Sequence, residues 1–547
     1  MMRRYRFDKR ILAAVVFFLI AFVVLTLPDH PDAFSARAFL RLPVEVPLLG
    51  LTLLLLPQRL TVLLKPIFVS AIGIMLFLKI ADIGVQSAFQ RPFNPYLDTK
   101  MLVDGWRLMR GTIGTPAAVL TIGALISAFS AVIYLFHWSA TTLALRERAS
   151  ERRGAANRVQ KIAKVYAGIL LFGAAISAIG PMFGFQPVMD ARALPYLSAR
   201  LTLVAESVAD MRRFERELAA YPSQAFHPGL FQAVRGRDVV LIFIESYGRS
   251  AVDDPRYRPL VRARQASMEH ALKAAGYGSA SGWSVSPTVG GISWLAHGTL
   301  LSGLWIDSQA RYDRLMMSDW PSLNRQFQQA GWRTAAVMPA ITMDWPEASY
   351  FGYDQVLASK DLGYKGKPFN WVTMPDQYTL HALDQLVRQP ARRAAKPVMA
   401  EIALISSHAP WTPIPKLVDW DQIGDGTIFN AQAEEGDSPA VVWADQDRVR
   451  HQYIQTIDYT LQTVSDYITR FGDDAVFIIL GDHQPAALIT GSNASRSVPV
   501  HIISRDQKLI ERFGAEGFSM GMTPQADAPE VRMGKLRPLL VRLFSTQ

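Results

Sequence analysis

Three short segments concentrate the side chains that could hold a metal or move a proton. Glu245-Ser246-Tyr247-Gly248, Ser406-Ser407-His408-Ala409-Pro410-Trp411 and Gly481-Asp482-His483-Gln484-Pro485 each follow a run of apolar, largely β-branched residues. A carboxylate, a histidine and an Asp-His pair together suit a hard or borderline divalent cation, manganese or zinc above all. Each alone reads as a turn or a helix cap; gathered at strand ends they read as a centre. A fourth segment, Ser286-Pro287-Thr288-Val289-Gly290-Gly291-Ile292-Ser293-Trp294-Leu295-Ala296-His297-Gly298, offers a nucleophile. Its glycine pair precedes a helical pattern, which sets Ser293 at or near a helix N-terminus, where free N–H groups and the helix dipole stabilise anionic oxygen. A cation on that hydroxyl would lower its pKa and make it nucleophilic near neutral pH. The competing local reading is that Ser293 only caps the helix, and Thr288, five residues upstream, is the rival hydroxyl.

The elements that must position these residues alternate. Val239–Ile244, Arg333–Met338, Val398–Ile405, Ala475–Leu480 and Val498–Ile503 are near-continuously apolar, as strands buried on both faces are. Between them lie helical patterns such as Pro321–Ala330, Asp376–Arg388 and Val449–Phe471. The alternation predicts an α/β domain with a mostly parallel central sheet and helices on both faces. In such sheets ligands gather beyond the carboxyl ends of the strands, where all three acid and histidine segments fall.

Glu245, Ser293, His408 and the Asp482-His483 pair, in this order and at these distances, resemble the alkaline phosphatase/sulfatase superfamily. The resemblance is to its membrane-anchored branch, that of lipoteichoic acid synthase and related phosphoglycerol transferases, and it runs from about Val239 to Ile503. It implies one divalent metal ion held by Glu245, Ser293, Asp482 and His483, with Ser293 as nucleophile and His408 as a catalytic, substrate-contacting histidine. Tyr453 and Tyr459 fall in a helix resembling the one before the family's last motif. The family's phosphoglycerol-holding stretch reads Met338-Pro339 and Trp345-Pro346-Glu347 here, so Trp345 is retained while a histidine and an arginine are lost. Arg249 and His297 are the nearby residues that could supply positive charge to a substrate instead. The chain has no cysteine, and Ser286-Pro287-Thr288 does not fit the sulfatase Cys/Ser-x-Pro-x-Arg motif, which argues against sulfate ester hydrolysis.

The resemblance implies a transferase that moves a phosphoglycerol-like head group from a phospholipid donor to a glycan or cell-envelope polymer. A metal-dependent phosphoesterase, a phosphoethanolamine transferase and a non-catalytic sensory or assembly protein are the alternatives. The phosphoethanolamine transferases commonly carry disulfides in the outer domain, which a chain without cysteine cannot form.

The rest of the 547 residues divide by composition. Half are hydrophobic, concentrated before about residue 185 in runs near Ile11–Leu27, Leu42–Pro57, Val62–Val85, Ala117–His137 and Val165–Phe183. A crossing helix takes about 20 apolar residues, and these runs predict about five spans, the second of which carries Pro43, Glu45 and Pro47 and has a re-entrant segment as its alternative. The net charge of +10 sits largely beside these runs, which speaks for topology and against a nucleic-acid partner. Arg3, Arg4, Arg6, Lys9 and Arg10, the Arg59 hairpin, and Arg146, Arg148, Arg152, Arg153, Arg158, Lys161 and Lys164 all belong in the cytoplasm by the positive-inside rule. Five spans from an inside start end outside, which predicts a multi-pass inner-membrane protein with a periplasmic catalytic domain. The expected organisation is a transmembrane domain over 1–185, a juxtamembrane linker with an amphipathic helix over 186–237, and a sulfatase-like domain over 238–547.

Overall fold

The computed structural model describes residues 9–98, 101, 105–106, 109–110, 113–145, 152–179, 182, 187–220, 229–491 and 493–545. Of the basic residues used for topology, Arg3, Arg4, Arg6, Arg146 and Arg148 lie outside the described residues. Two compact units are formed: Met1–Ser87 with Arg91–Asp210, and Ala88–Gln90 with Met211–Gln547. The expected linker is therefore divided between the units, the boundary falling inside one helix, Ala193–Ala219.

Among the described residues of the first unit, four helices are long and apolar enough to cross a membrane: Lys9–Thr26, Gln58–Phe89, Thr115–Ala144 and the Val159–Ile179 part of Arg152–Ile179. The second expected span differs. Leu42–Pro57 contains an eleven-residue helix, Glu45–Leu55, about 16 Å long against about 30 Å of hydrocarbon. Pro57 cannot continue it. Arg10 donates to Leu145 O at 2.5 Å and Phe17 stacks on Phe136, so Lys9–Thr26 and Thr115–Ala144 are antiparallel. Lys79 donates to Leu25 O and Leu27 O, the last carbonyls of the first helix, and Gly73 lies against Ile133. Gln58–Phe89 thus runs parallel to the first helix and begins near the level of its N-terminus. The chain between Leu27 and Gln58 returns from one end of the bundle to the other, although only part of it is helical. In that return, β1 (Leu42–Pro43) pairs in parallel with β2 (Met189–Asp190).

The second unit is built on a nine-stranded sheet in the order β10-β4-β9-β8-β3-β7-β5-β6, with β11 also on β4. The strands are β3 (Val239–Ile244), β4 (Gly278–Val285), β5 (Arg333–Met338), β6 (Gln355–Ala358), β7 (Val398–Leu404), β8 (Val476–Gly481), β9 (Ser497–Ser504), β10 (Ser519–Met520) and β11 (Glu530–Arg532). β8, β3, β7, β5 and β6 are parallel. β9 is antiparallel to both β8 and β4, so β4 ends on the same edge as β3, β7 and β8. β3 and β8 are buried along their whole length, as their unbroken apolar runs require. One continuous core of β3, β5, β7 and β8 side chains packs against Arg258–Ala274 and Gln446–Phe471.

Candidate metal and phosphoryl-transfer site

β8, β3 and β7 are neighbours, so the residues after them meet at one edge. Glu245 continues the ladder past β3, its N–H donating to Leu404 O at 3.0 Å. Ser246 then turns with φ +57, sending its N–H to Asp482 Oδ1 (2.8 Å) and its hydroxyl to Glu245 Oε1 (2.8 Å). Tyr453, from Gln446–Phe471, fixes this turn from beneath by donating to Ser246 O at 2.9 Å. Gly481, before Asp482, has no room for a side chain: a Cβ there would lie 1.9 Å from Tyr247 O.

Glu245, Asp482 and His483 bring their ligand atoms within 4.8 Å of one another. His483 Nε2 stands 3.4 Å from Glu245 Oε1 and 3.7 Å from Asp482 Oδ2. It is buried without a hydrogen-bond partner, while Nδ1 faces Gln484 O at 2.9 Å. A buried polar atom left unpaired costs free energy, and one aimed between two carboxylates fits a cation ligand. Burial, and then the charge of Glu245, holds the Asp482 carboxyl well above its ordinary range. Burial pulls His483 below the usual imidazole value, which keeps the ring in its neutral, ligating form. One nitrogen and two carboxylates match the chemistry of manganese or zinc sites.

The Ser286–Ser293 segment is pinned to the same edge. Ser286 Oγ donates to Asp482 O at 2.6 Å, and Gly290 N donates to Gln484 O at 2.8 Å. Gly290, Gly291 and Ile292 all have positive φ, +73, +144 and +53. Two glycines accept this readily, whereas a β-branched residue there is strained, a feature that clusters at functional sites. Ser293 follows at the start of Trp294–Ser302 in helical conformation and makes no side-chain capping bond. The rival Thr288 is buried and donates to Gly291 O at 2.8 Å.

His408 follows β7 on a turn, its ring stacked on Trp371 at 3.8 Å and its Nδ1 2.6 Å from Ala409 O. That turn is built around Asp376, wholly buried, which accepts from Ile405 N (2.8 Å), Ser406 N (2.9 Å) and Thr460 Oγ1 (2.6 Å). Electrostatically, His408 bears on Glu245, and both His408 and His297 bear on His483. His297, in Trp294–Ser302, stacks on Phe243 at 3.8 Å and meets Glu401 Oε1 through Nδ1 at 2.6 Å. Trp345 packs beside Phe351 and Tyr353. Arg249 is committed elsewhere: it bonds Asp253, Glu530 and Ala526 O and covers the Trp283 ring at 4.5 Å. Trp371, Asp376, Glu401 and Tyr353 were not among the sequence candidates. Only Glu401, an acid inside an apolar strand run, left a signal that could have been read.

Residues 237–497, within the α/β unit, match the family model described as Sulfatase. No curated protein sequence matches the chain. Among solved structures, the lipoteichoic acid synthase LtaP from Listeria monocytogenes is similar with a TM-score of 0.34 at 13% identity, covering 52% of this chain and 68% of that one. The C-terminal periplasmic domain of phosphoethanolamine transferase EptC from Campylobacter jejuni gives 0.37 at 11% identity, covering 57% and 90%. That of EcEptC from Escherichia coli in complex with Zn gives 0.32 at 14%, covering 49% and 72%.

Proposed function

We propose that this sulfatase-family domain transfers a phosphoglycerol-like head group from a phospholipid to a glycan or cell-envelope polymer, through a covalent bond to Ser293. The observation that carries the reading is the buried Glu245, Asp482 and His483 triplet with its unpaired imidazole nitrogen, to which the Ser293 segment is pinned. A manganese or zinc ion held by these three residues and the Ser293 hydroxyl would lower that hydroxyl's pKa and offset phosphate charge.

Ser293 Oγ bonds to phosphorus as the bond from phosphorus to the diacylglycerol oxygen breaks, and the serine proton leaves with diacylglycerol. A glycan hydroxyl oxygen then bonds to phosphorus as the bond from phosphorus to Ser293 Oγ breaks, and the hydroxyl proton passes to Ser293 Oγ. His408, with Nδ1 held by Ala409 O, offers Nε2 to the substrate. The helical unit supports placement at the lipid surface, where the donor is concentrated. Its opposed helix directions and Arg59, at the start of Gln58–Phe89, favour an extracytoplasmic α/β unit.

Labelled phospholipid supplied to the purified full-length protein tests this. Ser293→Ala is expected to lower diacylglycerol release by at least about 10³-fold; unchanged release would refute the mechanism. Product analysis with and without a glycan acceptor separates transfer from hydrolysis, since water reacts with the same intermediate.

A further inference from the structure

Gln484 directly follows the Asp482-His483 pair and is 1% exposed. Its carbonyl oxygen meets two donors, Gly290 N at 2.8 Å and His483 Nδ1 at 2.9 Å. A carbonyl oxygen has two lone pairs, and both are used here. Because a carbonyl only accepts, His483 Nδ1 carries a proton, and the unpartnered Nε2 of that ring is the nitrogen left for a cation. Val289 forms a parallel bridge with Gln484, so the other contact is made by the backbone of the Ser286–Ser293 segment.

The Gln484 side chain keeps that oxygen in place. Its amide nitrogen donates to Ser495 O at 2.9 Å, and its amide oxygen accepts from Ser250 N at 3.3 Å. One partner can only accept and the other only donate, so the amide has a single orientation. Ser495 precedes Arg496, whose carbonyl receives Ser286 N at 3.1 Å, so the amide bears on the far end of the Ser286–Ser293 segment too. Its place beside the turn after β3 requires glycine at 248, where a Cβ would lie 1.9 Å from the amide oxygen. One residue therefore sets both the direction of the His483 ring and the position of the chain just before Ser293.

We propose that Gln484 is a positioning residue that ties the cation-ligating His483 to the loop carrying Ser293, its side-chain amide governing cation affinity and phosphoryl transfer together. The inference rests on the phosphoryl-transfer reading of the centre and adds a residue that the transfer depends on without contact with substrate.

The test uses full-length Gln484→Met, which keeps the volume and removes both amide bonds, and Gly248→Ala, whose methyl displaces the same amide with Gln484 intact. In the metal-free protein, hydrogen exchange of residues 288–292 is expected to speed up about tenfold in both variants. Manganese affinity, measured by calorimetry, is expected to fall about tenfold. At saturating manganese, diacylglycerol release per bound ion is expected to fall about tenfold as well, with KM for phospholipid unchanged. A merely structural role would lower the Tm and the yield of folded protein but leave release per bound ion unmoved, and that result overturns the inference. So does lost affinity with full release at saturation, or lost release with full affinity, since either separates the ligand from the loop. Unchanged exchange overturns it too. Should Gln484→Met fail to fold, Gly248→Ala carries the same three readouts. A wild type that binds manganese but releases no diacylglycerol overturns the phosphoryl-transfer reading, while exchange and affinity still decide the tie between His483 and the loop.

Discussion

Asp482 and His483 reach their tasks by opposite routes. Burial makes the aspartate hold its proton and the histidine shed its own, so a cation entering the site has one proton to displace, from Asp482. Manganese affinity is therefore expected to fall about tenfold per pH unit below the raised Asp482 value, with about one proton released per ion. Calorimetry in buffers of different ionisation enthalpy measures both; affinity independent of pH would contradict the assignment. Stability of the metal-free protein runs the opposite way with pH. A carboxyl raised in the folded state stabilises below its unfolded value, and that contribution is lost as pH rises through the folded value. Asp482→Asn is accordingly expected to abolish manganese binding while raising the Tm of metal-free protein at neutral pH. A lowered Tm would show that Asp482 is chiefly a structural acceptor for Ser246 N and His483 N.

At the scale of elements, the turn after β7 depends on one buried acid. Without the Asp376 carboxylate, Ile405 N, Ser406 N and Thr460 Oγ1 lose their acceptor. At about 1–3 kcal/mol for each buried unsatisfied group, Asp376→Ala is expected to cost on the order of 3 kcal/mol. Asp376→Asn, which keeps an acceptor oxygen, should cost far less, since burial already pushes the native carboxyl up. Chemical denaturation of the two variants checks this, and equal losses would refute it. The strands that carry the site were legible because each is a largely unbroken apolar run: β3 and β5 lie as expected, β7 differs by a residue at one end, and β8 and β9 by a residue at each end. β4 was not legible. It reads Gly-Ser-Ala-Ser-Gly-Trp-Ser-Val, with few branched residues, because its neighbours crowd it; a Cβ on Gly282 would already meet Phe518 at 3.0 Å. Glu245, Asp482 and His483, which the fold gathers, stand out as motifs, whereas Glu401 and Tyr353 meet only in three dimensions. Arg249 looked free in the sequence because Glu530, which binds it, lies 281 residues away.

For the whole molecule, the absence of cysteine makes topology directly measurable. Single cysteines can be placed against no background. On intact cells with a permeable outer membrane, a membrane-impermeant maleimide is expected to label Ser35→Cys and Lys416→Cys but not Gln58→Cys. Labelling of the last, or protection of the second, would reverse the proposed orientation. The proposed orientation rests on the direction of the helices rather than on their length. The Leu42–Pro57 run counted as a span by its apolar character holds only the eleven-residue helix Glu45–Leu55.

That short helix has a consequence for where the helical unit can be cut. A chain beside an apolar layer must satisfy its backbone internally, and the stretch before Glu45 does so with a distant segment. Leu42 N and Val44 N donate to Val188 O and Asp190 O at 2.8 and 2.9 Å, and Glu45 Oε1 receives Arg192 N and Ala193 N at 2.7 and 2.8 Å. Residues 187–193 thus complete the hydrogen bonding of the chain that leads into Glu45–Leu55. A fragment ending at 185, where the hydrophobic runs stop, would leave these donors and acceptors facing lipid. One ending within Ala193–Ala219 would keep them closed.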